Sequence, residues 1–193
     1  MSKTFVRLNF CLTLLFPTSF SRLTEIFFIL ETRCTSTREL RQKLIGKTWE
    51  FSSNNAPNRA ISFDSTNKSR ILEQSPSSSW KIVSVLCSEG ISFESTVRPN
   101  HFLRHRGFIL YADPFENSQQ YRNDACFKLI PGLAACDQIT FRSVNFPETY
   151  LRHQGYVMKL HQNDGSELFM KDATFKGENW DGLKSIYFFQ NLR

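Results

Sequence analysis

What this sequence lacks narrows it first. The five cysteines, Cys11, Cys34, Cys87, Cys126 and Cys136, form no Cys-x-x-Cys pair, and their number is odd. A tetrahedral zinc site needs closely spaced thiolate or imidazole ligands, so no metal site is expected. The net charge of +6 and the pI of about 9.2 are mildly basic, but Lys and Arg are scattered, with no cluster of the kind that tracks a phosphate backbone. That speaks against a nucleic-acid partner. A bilayer span needs about 20 consecutive apolar residues. Arg7, Pro17, Arg22 and Glu25 interrupt the one candidate, Phe5 to Leu30, so no stable membrane span is expected. No Gly-x-Ser-x-Gly elbow, phosphate-cradling glycine loop or His-Glu-x-x-His run is present, and no cofactor is expected.

What is abundant is phenylalanine, 19 of 193 residues, most of it in short runs with Ser, Thr, Ile and Val. That composition favours an all-β domain with an aromatic core. The runs also repeat. Ile91 to Lys128 laid over Ile139 to Lys176 at an offset of 48 gives identities at Phe93/Phe141, Ser95/Ser143, Pro99/Pro147, Leu103/Leu151, Arg104/Arg152, His105/His153, Gly107/Gly155, Asp124/Asp172 and Phe127/Phe175. A period in this range marks stacked or rotationally repeated units, none able to close a core alone. A worn further copy lies upstream at an offset of 42, where Trp49-Glu50-Phe51-Ser52-Ser53 resembles Ile91-Ser92-Phe93-Glu94-Ser95. It has Ser62-Phe63 in place of the Arg-His pair and Ser77 in place of the aspartate.

Residues 1–21 combine Lys3 and Arg7, a short apolar run and small polar residues, which reads as a secretory signal peptide and an extracellular destination. Residues 22–45 read as a linker or short surface helix, helical around Arg38 to Leu44. In a secreted chain one disulfide among Cys87, Cys126 and Cys136 is expected, and the sequence does not choose the pair. Asn67-Lys68-Ser69 is an N-glycosylation sequon, meaningful on the same condition. Residues 46–193 then hold three copies, about 49–87, 91–133 and 139–183. Each later copy reads as four short strands, in the second about 91–95, 101–105, 108–112 and 124–130. A tight hairpin is expected at Gly107 and Gly155. Three sets of four strands around a pseudo-threefold axis make a β-trefoil, whose closure removes most exposed edges. Ile186 to Asn191 echoes Ile139 to Val144 and reads as a last strand.

Polar identities between copies are more telling than apolar ones, which a core explains. His105 precedes Asp124 by 19 residues, and His153 precedes Asp172 by the same 19. A carboxylate accepts several hydrogen bonds and a neutral imidazole donates one and accepts one, so such a pair can grip adjacent hydroxyls. Phe102, Phe108 and Tyr121, with Tyr150, Tyr156 and Phe169 in the next copy, are available as an apolar wall or as core. The alternative is a hydrogen bond that only pins the hairpin to the last strand. Acidic residues such as Glu94, Asp113, Glu116, Asp164 and Glu167 are mostly unmatched between copies, and no catalytic pair is assigned.

The runs Phe102-Leu-Arg-His105, Asp124-Ala-Cys-Phe127, Tyr150-Leu-Arg-His153 and Asp172-Ala-Thr-Phe175 resemble the arabinose-binding domain of α-L-arabinofuranosidase B, the family 42 carbohydrate-binding modules. Those repeats have the form S-F-x-S-x-N-x-P-x-x-Y-L-R-H followed by D-A-T-F. Ser143-Val-Asn-Phe-Pro-Glu-Thr-Tyr-Leu-Arg-His153 is especially close. The resemblance runs from about Trp49 to Arg193. It implies a β-trefoil in which His105 with Asp124, and His153 with Asp172, hold arabinofuranose side chains of a polysaccharide, and in which the first copy is inactive. The family's usual Tyr after the His is Arg106 and Gln154 here. About 48 residues precede the module, too few for the catalytic domain that family enzymes carry. The expectation is a monomeric sugar-binding module; the alternatives are an arabinofuranosidase fragment and a trefoil used for protein contact.

Overall fold

The computed structural model describes residues 36–179. The expected signal peptide, residues 22–35 with Cys34, and the terminal run from 180 that includes Ile186 to Asn191 lie outside the described residues. The described chain opens with α1, Thr37–Leu44. Ser36 caps it by accepting from the Glu39 amide at 3.3 Å, while the Glu39 carboxylate accepts from the Ser36 amide at 3.0 Å, a reciprocal capping box. Leu40 and Leu44 are buried among core residues, so this helix, expected outside the repeat array, packs against it.

Twelve strands follow among the described residues, in three consecutive sets of four. The first set is β1 Thr48–Ser53, β2 Ala56–Phe63, β3 Ser69–Glu73 and β4 Trp80–Val83. The second is β5 Ser92–Ser95, β6 His101–Arg106, β7 Ile109–Pro114 and β8 Phe127–Pro131. The third is β9 Ile139–Ser143, β10 Thr149–Gln154, β11 Val157–Gln162 and β12 Phe175–Asn179.

The first and last strands of each set close a barrel. β12 pairs with β1, β1 with β4, β4 with β5, β8 with β9 and β9 with β12, and an Ile91–Phe127 bridge joins the ends of β5 and β8. Such a ring leaves none of these strands an open edge. The inner strands form the hairpins β2–β3, β6–β7 and β10–β11, and these touch one another where β11 pairs with both β3 and β7.

The core explains the phenylalanine count. Phe51, Phe93 and Phe141, at matching positions in β1, β5 and β9, are fully buried and meet edge-to-face with centroids 5.5, 5.1 and 5.0 Å apart. Each such contact adds about 0.5–1.5 kcal/mol beyond the area it buries. Trp80, Phe127 and Phe175, at the starts of β4, β8 and β12, are buried around that triad.

One expectation is corrected. The strand expected from about 124 starts later, and a helix not expected, α2, Gln119–Asp124, stands before it, with its counterpart α3, Glu167–Asp172, in the third set. Ser118 and Ser166 cap them, accepting from the amides of Tyr121 at 3.1 Å and Phe169 at 3.0 Å. Six residues are too few for an apolar period to show. These helices are held by tertiary burial of Tyr121 and Phe169. The aspartates therefore end helices, and the strands begin at Phe127 and Phe175.

The tight hairpins are where the sequence placed them. Gly107-Phe108 and Gly155-Tyr156 take positive φ at both residues, 55° and 65°, then 56° and 63°, the geometry of a two-residue type I′ turn. All three candidate cysteines are disulfide-bonded, Cys87 and Cys126 to each other with Cα atoms 5.3 Å apart.

Candidate functional site

In the second set, His105 is the last residue but one of β6 and α2 ends on Asp124, which brings the imidazole Nε2 to 3.2 Å from Asp124 Oδ1. A third residue completes the group from the next set. Asn145, just past β9, donates its amide to Asp124 Oδ1 at 2.8 Å. That turns its carbonyl toward Ser143 Oγ at 2.7 Å and His105 Nε2 at 3.2 Å. A carbonyl can only accept, so this hydrogen bond requires a proton on His105 Nε2. Arg104 stands behind the group, its guanidinium 4.9 Å above the Tyr121 ring, 2.9 Å from Asp113 and 4.0 Å from Asp124.

The third set builds the same group. His153 Nε2 is 3.4 Å from Asp172 Oδ1, and Asn55, just past β1, donates to Asp172 at 2.6 Å and accepts from His153 at 2.9 Å. Ser53 Oγ lies 2.8 Å from both Asn55 Oδ1 and His153 Nε2. Each group is thus assembled across two sets, the third set borrowing its asparagine from the first. Burial pushes the His153 pKa down, Asp172 pulls it up and Arg152 pushes it down, with a net lowering.

The first set shows what replacement looks like. Ser62 and Ser77, at the positions of Arg104 and Asp124, bond hydroxyl to hydroxyl at 2.6 Å. Phe63 stands where the histidine would be, under the guanidinium of Arg98 at 5.0 Å. Val97 stands at the asparagine position and is exposed. Every polar member has been exchanged.

His105, Asp124, His153 and Asp172 are all less than one-tenth exposed, yet the second group opens to solvent. A hollow of about 520 Å³ is lined by His105, Asp124, Asn145, Arg106, Phe108 and Phe146, among others. This is within the usual size for small-molecule sites. A carboxylate at the C-terminal end of a helix opposes the helix dipole, so neither aspartate is placed to stabilise its own helix. Among the described residues no group of three His, Cys, Asp or Glu is arranged to hold a metal ion, and no helix is long and apolar enough to cross a membrane.

A family model described as the alpha-L-arabinofuranosidase B (ABFB) domain matches residues 50–176. The chain belongs to the ABFB domain family. Comparison with curated protein sequences gave no match. Among solved structures, an arabinofuranosidase complexed with arabinofuranosyl-alpha-1,2-xylobiose is similar at 24% identity and a TM-score of 0.63, over 69% of this chain and 31% of the enzyme. A GH54 α-L-arabinofuranosidase soaked with a cyclic sulfate inhibitor is similar at 23% identity and a TM-score of 0.62, with the same coverage. The ricin B-like lectin of Macrolepiota procera, in complex with lactose, is similar at 11% identity and a TM-score of 0.55, over 69% of this chain and 96% of the lectin. This ABFB domain thus spans about a third of the length of the arabinofuranosidases it matches.

Of the six aromatics named from the sequence, Phe102, Tyr121 and Phe169 are core, and Phe108 and Tyr156 are exposed at the hairpin tips. Tyr150 is half-buried and packs edge-on to Phe169. Arg106 lines the hollow with its guanidinium 4.0 Å over Tyr111 and 2.9 Å from Asp113, and Gln154 accepts from Lys159 at 3.1 Å. Sequence reasoning missed Asn55, Asn145 and Phe146. The signal for the asparagines was present: Ser-x-Asn stands at 53–55 and 143–145, and breaks at 95–97 where Val97 intervenes.

Proposed function

We propose that this ABFB domain is a sugar-binding β-trefoil that takes arabinofuranose side chains of a polysaccharide in its second and third sets. The observation that carries the reading is one His–Asp–Asn group built twice, in a chain whose first set has lost all three members. Each group offers aspartate lone pairs and an imidazole, which suits vicinal hydroxyls, and the second has exposed rings beside its imidazole for a C–H face. The barrel of first and last strands, with three hairpins meeting one another, supports the trefoil, as does the likeness to a ricin B-like lectin. The likeness to an arabinofuranosidase complexed with an arabinofuranosyl xylobiose supports the choice of sugar. The basic, apolar start of the chain and the Cys87–Cys126 disulfide support work outside the cell.

Two individually weak sites on one rigid body gain from engaging one polymer at two points. Affinity-gel electrophoresis in arabinoxylan tests the reading. The wild type should be retarded, and a His105→Ala/His153→Ala double variant with an unchanged melting profile should run as in a gel without polysaccharide. Equal mobility of the two proteins would remove the sugar-binding reading and leave the scaffold.

A further inference from the structure

The second hollow has more apolar wall than a single furanose ring requires. Phe108 and Phe146 stand at its mouth, 42% and 40% exposed, with centroids 5.0 Å apart. Both contact the His105 ring, Phe108 stacked on it at 6.0 Å and Phe146 edge-on at 5.3 Å. The polar group and the apolar platform are therefore one continuous surface. Three aromatic rings count among the exposed large hydrophobic side chains of the described residues, and two of them are these.

The other sets do not keep this platform. In the third, Ala56 takes the place of Phe146, and Tyr156, the counterpart of Phe108, has the Arg59 guanidinium 4.7 Å over its ring. In the first, Arg98 takes the place of Phe146. Phe108 also holds a φ of +65°, a left-handed conformation that bulky side chains rarely adopt. The turn fixes that φ, at Phe108 as at Tyr156, but does not call for a ring there, and a pair of rings left bare in solvent points to a contact.

We propose that the second hollow selects arabinofuranose carrying an aromatic substituent, the sugar held by His105, Asp124 and Asn145 and the aryl group packed on Phe108 and Phe146. The inference rests on the sugar-binding reading above. The substituent has two chemical sources, an aryl aglycone at the anomeric oxygen or an aryl ester on the exocyclic hydroxyl.

Calorimetric titration of the full chain with three ligands tests it: methyl α-L-arabinofuranoside, its 4-nitrophenyl counterpart, and the methyl glycoside esterified with benzoate at the exocyclic hydroxyl. One or both aryl ligands should bind roughly 3- to 10-fold tighter than the methyl glycoside, the gain expected of an aromatic pair. The arm that gains identifies the source. Phe146→Ala should bring the aryl ligands down to the affinity of the methyl glycoside, whatever it does to the methyl glycoside itself; Phe146→Leu, which keeps apolar volume without a ring, should do the same. Equal affinity for all three ligands in the wild type, or an aryl gain that survives both substitutions, overturns the inference and leaves the sugar reading standing. Binding of none of the three overturns that reading, and the inference with it.

Discussion

In the second set Arg104 divides its guanidinium between two carboxylates, whereas in the third Arg152 makes a single ion pair among the described residues. Arg104 lies 2.9 Å from Asp113 and 4.0 Å from Asp124. At the position of Asp113 the third set has His161, and Arg152 closes on Asp172 at 2.5 Å. The side chains differ in depth as well: Arg104 is 15% exposed and Arg152 7%. One His–Asp–Asn group can thus be backed in two ways. In the second set the aspartate stands 4.0 Å from its arginine and faces a hollow, while in the third it is half of a buried ion pair.

The largest effect that would test this contrast is on folding. Asp172→Ala leaves the Arg152 guanidinium buried without its acid, and breaking a buried pair in that way costs about 3–5 kcal/mol. Asp124→Ala leaves Arg104 with Asp113, so only the hydrogen bonds from His105 and Asn145 are lost, about 1–3 kcal/mol. Urea denaturation of both variants reads the difference directly. Adding His161→Asp to Asp172→Ala would give Arg152 the second acid that Arg104 already has and should recover stability. Equal losses in the two single variants would mean that both arginines are paired alike, and the contrast would be void.

A smaller effect concerns recognition. Asn145→Val and Asn55→Val each copy what Val97 has done to the first set, removing the amide that joins histidine to aspartate. Each should weaken arabinofuranoside binding at its own His–Asp pair roughly tenfold, the worth of a hydrogen bond to a charged group. Together they should abolish retardation by polysaccharide, since the gain from two-point attachment disappears as well. Titration of the single variants sharpens the comparison. A large loss for Asn145→Val beside none for Asn55→Val would assign binding to the open hollow alone.

How much of this was legible in the sequence depends on distance along the chain. The His–Asp pairs could be read because both partners lie within one copy, at a fixed spacing of 19. The asparagines were not assigned, because each works in a copy other than its own: Asn55 and His153 are 98 residues apart, and only closure of the barrel joins them. The helices α2 and α3 escaped for a different reason, being too short for a period and held by Tyr121 and Phe169 beneath Arg104 and Arg152. Phe146 looked like a turn residue beside Pro147. Its role as a wall depends on the hairpin tip at Phe108 reaching across from the preceding set. The Phe51, Phe93 and Phe141 triad was legible as a repeated position, though not as a set of mutual contacts.

The smallest expected effect is on pH dependence, and it falls on the third set. Burial lowers the His153 pKa below its ordinary 6.5, Asp172 opposing and Arg152 adding to the shift. His161 is lowered in the same direction by burial and by Arg152 and Lys159, with Asp164 opposing. Between the folded value and 6.5 the unfolded chain therefore binds protons that the folded chain does not, and stability rises with pH through that window. Acidification should accordingly lower the unfolding midpoint as pH passes downward from about 6.5, the unperturbed imidazole value. Because both imidazoles lie within the field of Arg152, the protonated forms would add positive charge beside it, with Asp172 and Asp164 opposing. His153→Gln and His161→Gln should each flatten the midpoint between about pH 7 and pH 5, where unperturbed imidazoles titrate. An acid-induced fall of unchanged size in the double variant would locate the sensitivity elsewhere and remove the pH argument from the contrast between the two hollows.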